Sequence, residues 1–575
     1  MIVPALLALA LIGLVVYYCR RWLLARLMGL PPPRHGVTVT KNVPVTMPDG
    51  IRLMTDHYAP KAAGSFPAIL IRTPYGRGGD GSPKSMGTMA QYFAERGYHV
   101  IVQGVRGRFG SEGKFDPFVN EAADGRATLD WIAQQPWFNG ALGTWGASYL
   151  GYVQWAVAAD GPPFLKALAP SMISPERFTP MYPDGAFSLD TRLHWARTLQ
   201  FLDNWAGQSP WNKLSQTISL ATGGVARELE SAFDHLPLIE ADIAAIGKVA
   251  PLYRDLLTHP DPNHPYWRAR DHSARLSQVR APVYLLGGWY DFYLRGVLDS
   301  YTALKAAGQN PYLIIGPWAH ADPGTGPASL QEGLAWFEAH LKGDRSLLRE
   351  QPVRIHVMGT SEWRELDDWP PPTRETRYYL QPEAKLSPEA PPPSSPPDKY
   401  RYEPADPTPA VGGARFDRTD AGPKDNRDLE ARPDVLCYTT TPLERDVEII
   451  GPVRLELFAQ SSLAHTDFFG RLCDVDPEGR SINVCDGLFR IEPGKGEQQP
   501  DGALRIEVDM WATAYRFRRG HRLRLQVSSG AHPRWSRNLG TGEPLATGTR
   551  MEEAEQAIYH DATHPSALVL PITEG

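Results

Sequence analysis

The chain has 575 residues, a formal net charge of −6 at neutral pH and 42% hydrophobic residues. This length is too great for one hydrophobic core and predicts two to four domains. The mildly acidic balance excludes a typical nucleic-acid-binding protein, and four cysteines (Cys19, Cys437, Cys473 and Cys485) form neither a metal-ligand pattern nor a disulfide-rich framework.

The amino-terminal segment from Ile2 to Tyr18 is uncharged and almost wholly apolar, and Arg20 and Arg21 follow it closely. A run of about 17 apolar residues can just span a bilayer, so residues 1–35 are predicted to be a membrane anchor and linker. Because arginines follow the segment and none precede it, the positive-inside rule places the rest of the chain in the cytoplasm. An uncleaved export signal is the alternative interpretation.

Strand and helix patterns alternate in residues 36–174 and again in residues 279–350. Six short apolar runs predict buried strands: Ala68 to Arg72, Val100 to Gln103, Leu142 to Trp145, Lys166 to Pro170, Val283 to Gly288 and Tyr312 to Gly316. Helical patterns lie between several of them. This alternation predicts an α/β-hydrolase-type, doubly wound and mostly parallel sheet, with the opening hairpins as its antiparallel edge.

The alternation stops in residues 175–278, which have helical patterns and are rich in Trp, Leu and Pro. This insertion lies between the fourth and fifth predicted strands. It is therefore predicted to be a helical cap over the carboxyl ends of the strands, where ligands bind in such sheets. A separate helical domain without a role in the chemistry is the alternative.

Proline-rich stretches at residues 369–372 and 388–397 mark a boundary toward the carboxyl terminus. Beyond them the helical patterns vanish, and apolar and polar residues alternate as they do in half-buried strands. Residues 351–575 are therefore predicted to form an antiparallel β-sandwich of the jelly-roll type.

The segment from Leu142 to Gly151 joins a strand pattern to a helical pattern through Ser148. Gly146 and Gly151 flank this serine, and small residues are needed by the strained turn that lifts a nucleophilic serine above an α/β sheet. In such a turn the backbone N–H of the next residue, Tyr149, points to where an oxyanion forms. The short pattern also occurs by chance, so its interpretation depends on the residues that accompany it.

A nucleophilic serine needs a base, and the base needs an acid that orients it. In this fold the chain order is serine, acid, histidine, each on a loop after a strand. Asp291 follows the strand pattern from Val283 to Gly288, and His320 follows the next one. Ser148, Asp291 and His320 are therefore predicted to be a catalytic triad, which requires no metal and no organic cofactor.

Other candidate site residues lie beside these motifs. Tyr75 lies on the loop after an early strand, where this fold has its second oxyanion donor, so its hydroxyl is a candidate for that role. A tyrosine that only packs its ring is the alternative. Trp289 and Trp318, which stand beside the predicted acid and base, are assigned to the substrate pocket.

Taken together, these motifs resemble those of the cocaine esterase-like acyl hydrolases, which are related to X-prolyl dipeptidyl peptidases and α-amino-acid ester hydrolases. The matching segments are Arg72–Tyr75, Gly146–Gly151, Gly287–Asp291, Gly316–His320, Val105–Gly113, Arg432–Leu436 and Asp474–Arg480. The resemblance covers residues 37–570. It implies a hydrolase domain, a helical cap, a jelly roll and a small-molecule ester or amide substrate. It also implies that the Tyr75 hydroxyl and the Tyr149 N–H form the oxyanion hole.

The sequence departs from the family pattern in two places. Gly104 stands where an aspartate is expected, away from the predicted triad. The α-amino-acid ester hydrolases place acidic residues after the catalytic aspartate to hold a substrate ammonium, whereas Asp291 is followed by Phe-Tyr-Leu. Because an ammonium in an apolar pocket needs a carboxylate partner, the expected function is a serine carboxylesterase. The alternatives are an X-prolyl dipeptidyl-peptidase-type peptidase and a catalytically inactive jelly-roll binding protein.

Overall fold

A computed structural model describes residues 21–78, 82, 84–221, 224–417 and 419–573. The first sheet has ten strands: β1 (Val37–Thr46), β2 (Arg52–Pro60), β3 (Phe66–Thr73), β4 (His99–Gly104), β5 (Phe138–Ala147), β6 (Leu165–Ser171), β7 (Tyr284–Tyr290), β8 (Tyr312–Ala319), β9 (Val353–Val357) and β10 (Glu362–Leu366). The six predicted strand runs fall within β3 to β8.

The strand order is β1-β2-β4-β3-β5-β6-β7-β8-β9-β10. All neighbours from β4 to β9 in this order are parallel, whereas β1, β2 and β10 pair antiparallel. Consecutive apolar residues are buried in the middle strands, as in 68–71, 100–102 and 313–315. Parallel strands show such unbroken apolar runs because helices cover both faces of the sheet.

The helices fall into three groups along the chain. They are α1 (Gly87–Ala94), α2 (Glu121–Ala133) and α3 (Tyr149–Ala158) between the early strands; α4 (Leu189–Asn204), α5 (Pro210–Ala221), α6 (Gly224–Phe233), α7 (Ala241–Ile246), α8 (Pro251–Thr258) and α9 (Pro265–Arg268) between β6 and β7; and α10 (Leu294–Ala306), α11 (Thr325–Leu341) and α12 (Arg427–Glu430) after β7. Short 3₁₀ turns occur at Pro183–Gly185, Trp205–Gly207, Leu238–Glu240 and Ser273–Gln278.

Helices α4 to α9 have an apolar core of their own, separate from that of the sheet. Its buried side chains include Phe187, Leu193, Leu229, Tyr253 and Trp267. This group is also tied to the carboxyl-terminal part of the chain, because the Asp190 N–H on α4 donates to the Pro533 carbonyl at 2.9 Å. The insertion is therefore held against both neighbouring parts of the protein.

The carboxyl-terminal part is a twelve-stranded β-structure. Its strands are β11 (Thr373–Gln381), β12 (Lys385–Ser387), β13 (Asp398–Tyr402), β14 (Leu436–Thr439), β15 (Val447–Ser461), β16 (Thr466–Val475), β17 (Ser481–Ile491), β18 (Glu497–Gln498), β19 (Leu504–Phe517), β20 (Arg522–Ser528), β21 (Ala554–Tyr559) and β22 (Ala567–Thr573). In β19, alternate residues Ile506, Val508 and Met510 are buried, as expected for strands with one face on a core.

The boundary between the two sheets differs from the expectation. Residues 351–366 were assigned to the β-sandwich, but β9 pairs with β8 and β10 pairs with β9, so both extend the first sheet. By hydrogen-bond pairing the second sheet begins only at Thr373. The alternating pattern of β9 and β10 resembles that of the following strands, which is why the sequence does not separate them.

The predicted transmembrane anchor is corrected here. Among the residues that the structure describes, no helix is both long and apolar enough to cross a bilayer. The helix at residues 21–27 is only about 10 Å long at 1.5 Å per residue, whereas the hydrocarbon core is about 30 Å thick. The predicted span, Ile2 to Tyr18, lies outside the described residues. The fold class is therefore given without a transmembrane helix, and the membrane attachment and cytoplasmic orientation inferred from it are withdrawn.

Candidate active site

The predicted site residues lie at one edge of the parallel sheet. Ser148 follows β5, Asp291 follows β7, His320 follows β8, and Tyr75 lies two residues beyond β3. Since parallel strands end at the same edge of a sheet, these loops meet there. The inserted helices leave the chain after β6 and return before β7, which brings helix α4 over the same edge.

Ser148 occupies a strained turn between β5 and α3. Its φ is 56° and its ψ is −124°, a conformation that non-glycine residues rarely adopt and that clusters at functional sites. The Ser148 N–H donates to the carbonyl of Ser171 at the end of β6, at 2.9 Å. A Cβ added to Gly146 or Gly151 would lie only 2.4 or 2.5 Å from a neighbouring side-chain carbon. The two glycines are thus required by the close approach of the turn to its surroundings.

His320 joins Ser148 and Asp291 in one hydrogen-bonded series. His320 Nε2 lies 3.1 Å from Ser148 Oγ, and Nδ1 lies 2.7 Å from Asp291 Oδ2. Asp291 is fully buried, and its other oxygen accepts the Tyr293 N–H at 2.6 Å. A carboxylate beside Nδ1 places the imidazole proton on that nitrogen and leaves Nε2 free to accept the serine proton.

Tyr75 presents its hydroxyl to the same space. The Trp195 indole N–H donates to the Tyr75 hydroxyl at 3.3 Å. Burial raises the pKa of Tyr75 to about 12, and hydrogen bonds with Trp195 and Ser148 act against this increase. Since the neutral phenol is the form that carries a proton, a raised pKa keeps Tyr75 a hydrogen-bond donor even in alkaline solution.

Tyr149 contributes its backbone rather than its side chain. Its hydroxyl donates to Glu121 Oε1 at 2.6 Å, away from the serine. Its N–H is the first of helix α3, and the first N–H groups of a helix have no acceptor within that helix. The amino end of a helix also favours nearby negative charge. This N–H is therefore available to an oxyanion that forms at Ser148.

A cavity of about 310 Å³ adjoins Ser148 and is walled by all three parts of the chain. The first sheet domain supplies Phe118, helix α4 supplies Arg192 and Trp195, and the carboxyl-terminal part supplies Phe416. Phe292 also lines it, with its ring centroid 4.3 Å from that of His320. Small apolar walls with a few polar groups are typical of a site for a small organic molecule.

The assignment of Trp289 and Trp318 to the substrate pocket is corrected. Trp289 donates its indole N–H to the His356 carbonyl at 2.7 Å and packs against Trp369. Trp318 packs against Trp363, with ring centroids 5.8 Å apart. Both rings therefore face the side of the sheet where β9 and β10 lie, and neither lines the cavity at Ser148.

Several lining residues escape the sequence analysis. Arg177, Arg192 and Phe416 stand in no recognised motif, and they reach the cavity from segments far apart along the chain. Trp195 lies in a helical pattern whose facing side cannot be read from the sequence. Its only signal is the expectation that the inserted helices cover the sheet edge.

Comparisons with known proteins agree with this architecture. Residues 49–322 match the family model of the X-Pro dipeptidyl-peptidase (S15 family), and residues 347–569 match that of the X-Pro dipeptidyl-peptidase C-terminal non-catalytic domain. The cocaine esterase of Rhodococcus sp. (strain MB1 Bresler) is 36% identical over 574 residues, covering 93% of this chain and 98% of that protein.

Solved structures show the same fold over nearly the whole chain. An aminopeptidase from the marine sediment archaeon Thaumarchaeota archaeon superposes with a TM-score of 0.78 at 22% identity, covering 95% of this chain and 98% of the other. An α-amino-acid ester hydrolase gives a TM-score of 0.77 at 23% identity, covering 94% and 97%. At these identities the likeness concerns the fold alone.

The fold and the sequence relatives define a serine hydrolase that acts on ester or amide bonds. Within that class, the chain belongs to the cocaine esterase family, as its resemblance in motifs predicts. Its substrate is a small-molecule ester or amide.

Proposed function

We propose that the protein is a serine carboxylesterase in which Ser148 is the nucleophile, His320 the general base and Asp291 the residue that orients the base. The observation that carries this proposal is the hydrogen-bonded series from Asp291 through His320 to Ser148, at a strained turn beside an apolar cavity. A purely structural serine has no need of a strained backbone or of a histidine held by a buried carboxylate.

The reaction proceeds in two halves through an acyl-enzyme. Ser148 Oγ attacks the substrate carbonyl carbon while His320 Nε2 takes the serine proton, and the carbonyl electron pair moves onto oxygen. The Tyr75 hydroxyl and the Tyr149 N–H donate to that oxyanion. When the tetrahedral intermediate collapses, His320 gives the proton to the departing alcohol. A water molecule then repeats the sequence, with His320 as its base, and releases the acid and the free serine.

Replacing Tyr75 by phenylalanine removes one oxyanion donor and keeps the ring. We expect kcat for short p-nitrophenyl esters to fall about 10²–10³-fold with little change in KM, because the donor acts mainly in the transition state. Steady-state kinetics with p-nitrophenyl butyrate measure this. Tyr378→Phe, at a half-buried tyrosine of β11 remote from the cavity, is the control. A wild-type kcat for Tyr75→Phe would mean that Tyr75 only packs.

A peptidase that removes dipeptides from a free amino terminus is the second candidate, because residues 49–322 match the X-Pro dipeptidyl-peptidase model. The described residues that line the cavity at Ser148 include no Asp or Glu to hold a substrate ammonium. We therefore expect kcat/KM for p-nitrophenyl butyrate to exceed that for Ala-Pro-p-nitroanilide. Preferential cleavage of the anilide, lost when its amine is acetylated, would instead favour the peptidase.

A further inference from the structure

Two arginines reach the cavity beside Ser148. Arg177 is 2% exposed and Arg192 is 3% exposed, and both line the cavity walls. Arg192 Nε and Nη2 are buried and have no hydrogen-bond partner among the residues that the structure describes. Arg177 Nη1 donates to the Tyr293 hydroxyl at 3.1 Å, and its guanidinium lies 4.3 Å from the centroid of the Phe118 ring. Neutral groups alone therefore contact these two cations.

The carboxylate nearest in influence is already occupied. The charge of Asp190 acts on Arg192, but Asp190 pairs with His194 at 2.7 Å and with Arg415 at 3.5 Å. It also accepts the Phe416 N–H at 3.0 Å. Because the described lining contains no acidic side chain, the cavity holds two cationic groups without a counter-charge.

Arg192 keeps its charge in this environment. Burial lowers the pKa of Arg192 to about 10, the nearby Arg177 lowers it further, and Tyr293 acts in the opposite direction. A pKa near 10 still leaves the guanidinium protonated at neutral pH. Burying a charge without a partner is unfavourable, so a ligand that supplies the missing negative charge is favoured at this position.

We propose that the natural substrate carries a carboxylate, which enters this cavity and pairs with Arg177 and Arg192. A planar carboxylate can accept two parallel hydrogen bonds from a guanidinium, which gives both strength and orientation. The aromatic side chains Phe118, Trp195 and Phe292 line the space between and suit a short hydrocarbon linker. The proposal rests on the esterase function of the Ser148 site and names the substrate class for it.

The test compares esters that differ only in this charge. Mono-p-nitrophenyl esters of succinic, glutaric and adipic acid, corrected for spontaneous hydrolysis, are matched with p-nitrophenyl butyrate, valerate and hexanoate. A second pair, 4-(butyryloxy)benzoate and phenyl butyrate, carries the charge on the leaving group. We expect kcat/KM of the wild-type enzyme to be about 10–100-fold higher for the charged member of at least one pair, the scale of a charge-assisted hydrogen bond. The arm that shows the gain identifies the side of the ester that the arginines face.

Variants connect the preference to the two side chains. In Arg192→Met and Arg177→Met the charged-to-neutral ratio should fall toward 1, and in Arg192→Lys it should take an intermediate value. Arg197→Met is the matched control, since Arg197 lies on the same helix and pairs with Glu228 at 2.8 Å outside the cavity. Both esters are measured on one sample of each variant, so a loss of folded protein cancels from the ratio.

Two results separate the failure of this proposal from the failure of the esterase assignment. If wild-type enzyme hydrolyses the charged and neutral esters equally well while Ser148→Ala hydrolyses neither, the carboxylate proposal is overturned and the esterase function stands. A preference that persists unchanged in both methionine variants also overturns it. If Ser148→Ala retains wild-type turnover of every ester, the proposed function itself fails.

Discussion

Alanine in place of Ser148 is expected to lower kcat for p-nitrophenyl esters by about 10⁶-fold, the scale seen when the nucleophile of a serine hydrolase triad is removed. The reason is that His320 Nε2, 3.1 Å from Ser148 Oγ, then has no hydroxyl to activate and no acyl-enzyme can form. The residual rate should reflect only binding and the oxyanion donors. Initial rates at saturating p-nitrophenyl butyrate measure the change.

Ser300→Ala is the matched control for this variant. Ser300 is a buried serine in the same domain, and its hydroxyl donates to the Gly296 carbonyl within its own helix. We expect near wild-type turnover from it. A Ser148→Ala enzyme that is as active as Ser300→Ala would show that another group attacks the ester.

Asparagine in place of Asp291 is expected to lower kcat by about 10⁴-fold with little change in fold, because an amide stabilises the wrong tautomer of the histidine base. The shapes of the two side chains are the same, so the 2.7 Å contact with His320 Nδ1 is kept in position while its charge is lost. The comparison is made by steady-state kinetics, with circular dichroism to verify the fold.

Asp299→Asn provides the corresponding control. Asp299 lies on α10, a few residues beyond Asp291, and burial raises its pKa. Its replacement therefore removes a partly buried carboxyl group without touching the hydrogen-bonded series. Equal losses in the two variants would indicate a general effect of buried charge rather than orientation of His320.

The sequence predicts the central sheet well because its signals are local. Unbroken apolar runs from 68 to 71 and from 313 to 315 are required wherever a strand is covered on both faces. The turn at Ser148 is equally legible, because only glycine at positions 146 and 151 avoids contacts near 2.5 Å. The order of serine, acid and histidine follows from the topology, so the loops that hold them can be named in advance.

The cavity was less predictable because its walls come from distant segments. A tryptophan after a strand can turn to either side, and Trp289 and Trp318 turn toward Trp369 and Trp363 rather than the cavity. Arg192, by contrast, lies in a helix with no catalytic motif and reaches the cavity only through the packing of the inserted helices on the sheet edge. Such contacts depend on tertiary packing, which local patterns do not encode.

Covalent labelling tests the assignment of the nucleophile most directly. A fluorophosphonate probe reacts with an activated serine, and mass spectrometry of the digested protein locates the modified residue. The account predicts one probe adduct on the peptide that contains Ser148 in the wild-type enzyme, and no adduct in Ser148→Ala or in enzyme denatured before labelling. An adduct on a different serine, or an unlabelled wild-type enzyme that nevertheless hydrolyses esters, would contradict it.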